Sequence, residues 1–175
     1  MNKIYLLGLP GAGKTTTGKW LASKLGWDFV DLDECIEKKA GKTVALIFEE
    51  EGEIYFRQIE ALALTETFQL KNCVVSCGGG TPAYDDNMER MSRHGLTVFL
   101  NTEIDEIENR LMAQTHARPL FQNESNEGIR HKLEKLAEKR RPYYSRAKII
   151  WNKNKPEDSF FNNINKLMSL YPSFS

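Results

Sequence analysis

An octapeptide near the start of the chain constrains the fold more than any other feature. Residues 8–15 read GLPGAGKT and fit the pattern G-x-x-x-x-G-K-[S/T] without a mismatch. The short apolar run KIYLLG (3–8) precedes it as a buried parallel strand would, and residues 13–26 follow with apolar residues at helical spacing. A strand, a glycine-rich turn and a helix in this order predict a phosphate-binding loop in an α/β sheet.

The residues of this loop suit a nucleoside triphosphate. Glycines lack a Cβ, so backbone N–H groups can point inward at an anion, and the helix N-terminus adds partial positive charge. Lys14 can reach the β- and γ-phosphates, and the Thr15 hydroxyl can coordinate Mg²⁺. The loop therefore predicts a bound nucleoside triphosphate.

This motif is shared by switch GTPases, motor ATPases and small-molecule kinases, so other features must separate them. A GTPase needs N-K-x-D after a late strand, where the aspartate accepts hydrogen bonds from guanine. The most similar stretch, NKNK at 152–155, lacks that aspartate. A chain of 175 residues also leaves no room for an added effector or nucleic-acid module. Both observations favour a small kinase.

Strand-like and helix-like segments alternate along the whole chain. Strands are predicted at 3–8, 27–33, 72–80, 96–101 and 147–152. Helices are predicted at 13–26, at 34–70 with breaks at Gly41 and Gly52, at 84–94, at 103–113, up to about 145, and after Pro156. This alternation predicts right-handed crossovers, a parallel sheet covered by helices on both faces, and one domain over 1–175.

Charge and cysteine content narrow the class of partner. There are 24 Lys plus Arg and 24 Asp plus Glu, so the net charge is zero and a general nucleic-acid binder is disfavoured. Cys73 and Cys77 fall on one face of an apolar strand, as core thiols would, and three cysteines without metal-ligand spacing indicate a reducing, cytoplasmic compartment. No apolar run approaches membrane-spanning length. We expect a cytoplasmic monomer that binds small molecules, without nucleic acid or membrane partners.

Acidic residues follow the second strand, at the edge where parallel sheets bind ligands. Asp31 and Asp33 are two residues apart and point to the same side as long as the strand continues. One carboxylate can support a metal shell while the other orients a hydroxyl, or one can simply cap the next helix. The glycines at 78–80 end the third strand and permit a close approach of backbone to a ligand.

A kinase also needs an acceptor, the molecule that receives the phosphoryl group of ATP. Several basic residues can bind anionic groups on this acceptor or on ATP. Arg57 and Glu60 are three apart on a predicted helix and can pair, either to fix the guanidinium for an anion or as a surface ion pair. Arg118 lies in a polar stretch, about 114–126, that can close over ATP as a lid, or it is an exposed loop arginine. KRRPYY (139–144) offers a second anion contact. The acceptor is therefore predicted to be small, hydroxylated and negatively charged.

Taken in chain order, these motifs resemble the shikimate kinase family. The matching stretches cover nearly the whole chain: GLPGAGKTT, DLD, IEKKAGKTVALIFEEEGEIYFRQIE, CGGG, ARPLF and KRRPYYSRA. The resemblance implies transfer of the ATP γ-phosphoryl group to the 3-hydroxyl of shikimate, in aromatic amino-acid biosynthesis. It also implies a three-layer α/β/α fold with a five-stranded parallel sheet, of the P-loop, nucleoside monophosphate kinase type, with acceptor-binding helices at about 34–70.

The resemblance also implies a role for each matching position, with Glu60 orienting Arg57. Catalysis is assigned to Lys14, to Arg118 and to Asp33, which accepts the proton. ATP contacts are assigned to Gly11, Ala12, Gly13, Lys14, Thr15, Thr16, Arg110, Arg118 and Pro156. Acceptor contacts are assigned to Asp33, Phe48, Phe56, Arg57, Gly78, Gly79, Gly80 and Arg140. One Mg²⁺ per subunit is assigned to Thr15 directly and to Asp31 through water.

Three alternatives stay open at this point. Arg141 competes with Arg140 as the carboxylate ligand, and Arg140 is preferred because it precedes Tyr144 by the family's four residues. The acceptor could instead be gluconate or a nucleoside monophosphate. The chain could also be a nucleotide-binding regulator that contacts a partner through its basic run at 134–148.

Overall fold

The computed structural model describes residues 2–113, 126–152 and 157–170. Within these ranges the strands are β1 (Lys3–Leu7), β2 (Asp28–Asp31), β3 (Cys73–Ser76), β4 (Leu96–Asn101) and β5 (Ile149–Asn152). The helices are α1 (Lys14–Leu25), α2 (Leu32–Ala40), α3 (Val44–Glu50), α4 (Gly52–Thr67), α5 (Asn87–His94), α6 (Ile104–Ala113), α7 (Asn126–Tyr144) and α8 (Glu157–Leu170), with a 3₁₀ turn at Thr81–Ala83.

The strands form one parallel sheet in the order β2-β3-β1-β4-β5. β1 lies at its centre, where Tyr5 pairs with Val75 of β3 and with Thr97 of β4. At least one helix links each strand to the next, as parallel pairing requires. Since the strands run the same way, the segments that follow β1, β2 and β3 meet at one edge of the sheet.

Helices cover both faces of the sheet and give the predicted three layers. On one face α1 and α8 pack against the strands, burying Leu21, Phe160 and Ile164 with Ile4 and Leu6. The other face is covered by α2 to α7, and its core includes both Cys73 and Cys77, as predicted for core thiols. The three inner strands β3, β1 and β4 are mostly apolar and buried on both faces, whereas the edge strands β2 and β5 are partly exposed. No helix in the described ranges is long and apolar enough to cross a membrane.

Four strands are shorter than the sequence predicts: β1 and β5 lose one or two residues at one end, whereas β2 and β3 end well before the predicted 33 and 80. β2 stops at Asp31 because the Asp31 carboxylate caps α2, accepting a hydrogen bond from the backbone N–H of Asp33 at 3.2 Å. Asp33 therefore lies in the first helical turn, and the expectation that both carboxylates project from one strand is wrong. β3 ends at Ser76, so the glycines at 78–80 form a turn after the strand.

Candidate active site

The glycine-rich loop joins β1 to α1 and presents the start of that helix to the sheet edge. Gly13 adopts the left-handed region, with φ 88° and ψ 24°, which glycine enters without a Cβ penalty. Thr17 N–H donates to Gly13 O at 2.9 Å, as in the first i to i−4 hydrogen bond of a helix. The backbone N–H groups of the residues just before Thr17 lie ahead of that bond, at the open end of α1. Amides in such a position suit phosphate oxygens.

The two side chains that the loop motif assigns to charge and metal both lie at this edge. Lys14 Nζ donates to the carbonyl oxygens of Gly8 and Leu9, each at 3.0 Å, which holds the ammonium group over the loop. Thr15 Oγ1 donates to Asp31 Oδ2 at 2.9 Å. Asp31 therefore uses one oxygen to cap α2 and the other to contact the residue that the motif assigns to metal binding.

Asp33 lies beside the glycine turn that follows β3 and has an unusual environment. Within the described part of the chain, its Oδ1 is buried and has no hydrogen-bond partner. Burial, followed by the negative charges of Asp31 and Glu60, raises the pKa of Asp33 to about 6. A carboxyl group with this pKa is largely ionised at neutral pH and is a better proton acceptor than an ordinary aspartate.

Arg57 is held on α4 by carboxylates on both of its sides. Its Nη1 donates to Glu60 Oε2 at 2.7 Å, as the spacing predicts, and its Nη2 donates to Glu53 Oε1 at 3.2 Å. Glu60 is fully buried, whereas Glu53 is exposed. The guanidinium carbon lies 6.0 Å from the ring centroid of Phe48 and 5.2 Å from that of Phe56. The cation is therefore fixed against an aromatic wall.

The glycine turn at 78–80 leaves space that the site's side chains occupy. A Cβ built on Gly78 would lie 2.5 Å from Glu60 Oε1 and 3.2 Å from Asp33 Oδ1. One on Gly79 would lie 2.8 Å from Arg140 Nη1, and one on Gly80 would lie 2.7 Å from the guanidinium carbon of Arg57. The three glycines thus let two carboxylates and two guanidinium groups converge on a single turn, which explains why they follow one another.

The structure brings Arg140, and not Arg141, to this turn. Arg140 Nη1 is buried and has no hydrogen-bond partner within the described residues, whereas Arg141 is exposed. Tyr144 lies one turn further along α7 and donates its hydroxyl to Gly79 O at 2.6 Å. Its ring stacks on Phe99 at a centroid distance of 4.8 Å, so the end of α7 is fixed against the turn.

The remaining predicted nucleotide contacts are only partly described. Arg110 Nη1 donates to Gly11 O at 3.3 Å, which places this arginine beside the glycine-rich loop, and it also pairs with Glu106. Arg118, the predicted lid at 114–126 except for residue 126, and Pro156 lie outside the described residues.

Two contacts of the site are missing from the sequence interpretation. Thr81 donates its hydroxyl to Glu60 Oε1 at 2.6 Å, and Tyr144 donates to Gly79 O. The only sequence signal for Thr81 is its position directly after the three glycines. Tyr144 served as a spacing marker for Arg140, and its 65-residue separation from Gly79 gives no local signal of contact.

Comparison with known proteins identifies the family. The shikimate kinase family model matches residues 10–169. A shikimate kinase from Bacteroides thetaiotaomicron is 43% identical over 158 residues, covering 90% of each chain. The chain belongs to the shikimate kinase family. A crystal structure of shikimate kinase from that organism aligns with a TM-score of 0.87 at 40% identity, covering 97% of each chain. The chain is thus a kinase, a phosphotransferase that uses ATP.

Two further structures separate what the fold shows from what the family shows. Shikimate kinase from Acinetobacter baumannii, solved in complex with shikimate, has a TM-score of 0.85 at 36% identity and covers 96% of this chain and 93% of its own. A gluconokinase from Sinorhizobium meliloti has a TM-score of 0.57 at 16% identity, covering 92% and 87%. The gluconokinase shares the fold, but at 16% identity this similarity does not indicate which acceptor the present chain uses.

Proposed function

We propose that this protein transfers the γ-phosphoryl group of ATP to the 3-hydroxyl of shikimate, giving shikimate 3-phosphate and ADP in aromatic amino-acid biosynthesis. One observation carries the proposal. Asp33 Oδ1 and Arg140 Nη1 are buried without hydrogen-bond partners in the described chain, and both lie against the glycine turn. A ligand that offers both hydroxyl groups and a carboxylate satisfies both atoms, and shikimate has this chemistry.

The acceptor is held through its carboxylate and its hydroxyls. Arg140 and Arg57 supply the positive charges, and Glu60 fixes the Arg57 fork for a bidentate contact. Phe48 and Phe56 line the carbon ring, with their own ring centroids 4.5 Å apart. The backbone of the turn, chiefly Gly79 with Gly78 and Gly80 beside it, contacts the ring substituents.

The ATP phosphates lie on the glycine-rich loop. Backbone N–H groups from Gly11 to Thr16 bind the phosphate oxygens, and Lys14 turns from the loop carbonyls to the β- and γ-phosphates. Arg110 borders the adenine together with Pro156, and Arg118 contributes positive charge from a lid at about 114–126. These three assignments rest on the family resemblance and, for Arg110, on its contact with Gly11.

The contact between Thr15 and Asp31 fits a magnesium ion. A hydroxyl and a carboxylate oxygen that already lie 2.9 Å apart are both hard oxygen donors, which Mg²⁺ prefers. Thr15 would bind one ion directly and Asp31 would bind it through water. When bound, the ion neutralises charge on the β- and γ-phosphates.

Asp33 accepts the proton of the attacking hydroxyl. Its raised pKa makes it a stronger base than an ordinary aspartate, and its buried Oδ1 is available for a hydrogen bond from the hydroxyl. Lys14 remains close enough to Asp33 to lower its pKa in part, so the carboxylate stays charged at neutral pH. The proton therefore moves from the acceptor oxygen to Asp33 as the phosphoryl group is transferred.

The proposal also includes a single kinase domain over residues 1–175, with acceptor-binding helices at about 34–70, acting as a cytoplasmic monomer. The acceptor side chains described above all come from one chain, so no second copy is needed to complete that half of the site. The three cysteines are free thiols, which fits a reducing compartment.

The decisive experiment offers four acceptors in parallel. Shikimate, gluconate, AMP and CMP are each mixed with ATP and Mg²⁺, and ADP release is followed in a coupled assay. We expect release above background with shikimate alone. Turnover with gluconate or a nucleotide and none with shikimate would overturn the proposal. Binding of ATP without turnover of any acceptor would favour the regulatory alternative.

A further inference from the structure

Thr81 lies where the glycine turn meets the 3₁₀ turn, and it contacts the group that fixes Arg57. Its side chain is fully buried, and its Oγ1 donates to Glu60 Oε1 at 2.6 Å. We infer that Thr81 is a positioning residue for acceptor binding, because its hydroxyl fixes the Glu60 carboxylate and thereby the Arg57 guanidinium. The inference rests on the proposed function, since it assigns Arg57 to the acceptor.

Glu60 needs a donor for each of its oxygens because it is fully buried. Arg57 Nη1 serves Oε2, and the Thr81 hydroxyl serves Oε1. Leaving one oxygen of a buried carboxylate without a donor carries the desolvation cost of that group. Without the hydroxyl, the carboxylate would turn to take Arg57 with both oxygens, and the guanidinium would turn with it.

The nearby carboxylate of Asp33 makes the orientation of Glu60 more important. A Cβ on Gly78 would touch both Glu60 Oε1 and Asp33 Oδ1, so the two carboxylates face each other across a single glycine. Glu60 is one of the groups whose charge raises the pKa of Asp33. A hydroxyl donor on Oε1 holds that oxygen in place and draws some of its negative charge away from Asp33.

Two backbone hydrogen bonds fix the position of Thr81, so its hydroxyl is held in a direction that points to Glu60. Its N–H donates to Gly78 O at 3.2 Å, and its carbonyl oxygen accepts from Asn87 Nδ2 at 3.1 Å. Asn87 is fully buried at the start of α5. The glycine turn and α5 therefore both set the position of the Thr81 side chain.

The test replaces the hydroxyl without changing the shape of the side chain. Thr81→Val removes the donor, Thr81→Ser keeps it, and Thr67→Val is the matched control. Thr67 is also a buried threonine, the last residue of α4, and its hydroxyl donates to Leu64 O at 2.6 Å and lies 3.1 Å from Tyr5 Oη. It lies ten residues beyond Arg57 on the same helix, about 15 Å away along its axis. Each variant is measured for melting temperature, shikimate affinity by calorimetry, and kcat with KM for both substrates.

We expect Thr81→Val to weaken shikimate binding and to raise its KM by about 5- to 100-fold, with a smaller change in kcat and an unchanged KM for ATP. Thr81→Ser should restore most of the affinity. Thr67→Val should lower the melting temperature without changing the KM for shikimate. This split between substrates would not follow from a purely structural role for Thr81.

Two results would overturn the inference. One is an unchanged shikimate affinity in a folded Thr81→Val protein, and the other is an equal rise in KM for Thr67→Val, which would indicate general loosening of α4. If Thr81→Val does not fold, Thr81→Ser provides the test. Weak shikimate binding by Thr81→Ser, at a melting temperature equal to that of the unchanged protein, would also contradict the inference. Failure of the proposed function is separate, because it shows as absent shikimate turnover in the unchanged protein.

Discussion

The two halves of this active site are built in different ways. The proposed phosphate-binding part of the ATP half is a single stretch of chain from Gly8 to Thr16, which presents backbone amides and a helix N-terminus. The acceptor half has almost no continuous segment. It gathers Asp33 from α2, Arg57 from α4 and Arg140 from α7 around a turn of three glycines. The first half depends on local conformation, and the second depends on tertiary packing.

This difference predicts which kinetic constant each substitution changes. Changes to the glycine-rich loop should affect the ATP step, whichever acceptor is offered. Changes around the glycine turn should affect shikimate and leave ATP binding intact. Asp33 lies where the halves meet, so its loss should affect turnover more than the binding of either substrate.

Lys14→Met should have the largest effect. It removes the positive charge that stabilises the transferring phosphoryl group, and we expect kcat to fall by about 10²- to 10³-fold. Steady-state kinetics with ATP and shikimate provide the measurement, with calorimetry of shikimate as the control. Normal turnover would contradict the role of the loop, and lost shikimate affinity would contradict the separation of the two halves.

Asp33→Asn should reduce kcat by about 10²-fold or more, because it removes the proton acceptor while keeping the shape of the side chain. The variant should still bind ATP, and calorimetry can establish this before the kinetic measurement. Wild-type turnover in a variant that binds both substrates would show that Asp33 is not the base.

Arg57→Ala should mainly weaken acceptor binding, by about 1.5–3 kcal/mol for a charge-assisted contact. In kinetic terms the KM for shikimate rises while the KM for ATP stays near that of the unchanged protein. Arg141→Ala is the control, since that arginine is exposed and lies beside Arg140 on the same helix. Equal effects of the two substitutions would point to long-range charge in place of a specific contact.

Tyr144→Phe should have a smaller effect on the same constant. It removes the hydroxyl that donates to Gly79 O and keeps the ring stacked on Phe99. Losing one neutral hydrogen bond costs about 0.5–1.5 kcal/mol, so we expect a KM for shikimate raised by roughly 2- to 10-fold. An effect confined to the KM for ATP would contradict the assignment of this turn to the acceptor.

The Asp33 carboxyl, which we propose as the proton acceptor, should also reduce stability at neutral pH. Burial raises the pKa of Asp33 to about 6, above its unfolded value, so the folded state binds this proton more readily than the unfolded state. The charged form therefore destabilises the fold above pH 6, and this cost disappears as pH falls below the unfolded pKa. Without nucleotide or Mg²⁺, Asp33→Asn should raise stability by about 1–3 kcal/mol at pH 8.

Denaturant unfolding at pH 8 and at pH 4 measures this effect, with Glu49→Gln as a control at an exposed carboxylate. The gain for Asp33→Asn should be largest at pH 8 and should fall to about 0.5 kcal/mol or less at pH 4. A gain that does not change with pH would show that ionisation of Asp33 is not its cause.

The sequence predicts the glycine-rich loop between β1 and α1, since the pattern of Gly8, Gly13, Lys14 and Thr15 is local and needs a single conformation. It also predicts the pairing of Arg57 with Glu60, because residues three apart share one face of a helix. For Asp31, the sequence leaves open whether the side chain caps α2 or supports a metal shell. The structure shows that one carboxylate oxygen caps α2 while the other accepts a hydrogen bond from Thr15, the residue that the motif assigns to metal binding.

The acceptor half contains what sequence reasoning could not supply. Glu60 and Thr81 are 21 residues apart, and Gly79 and Tyr144 are 65 apart, so no helical or strand period brings them together. These contacts depend on how α4, α5 and α7 pack around the turn. The family resemblance assigned acceptor contacts to Asp33, Arg57 and Arg140, but it gave no role to the hydroxyls of Thr81 and Tyr144, which contact Glu60 and Gly79.

The most direct test of the central claim is the identity of the phosphorylated product. The protein is incubated with ATP, Mg²⁺ and shikimate, and the product is examined by proton and phosphorus NMR. We expect one phosphate ester, at the 3-hydroxyl, formed in equal amount to ADP, and a rate that Arg57→Ala lowers at limiting shikimate. ADP formed without an ester, or an ester at another hydroxyl, would contradict the assignment of the acceptor half.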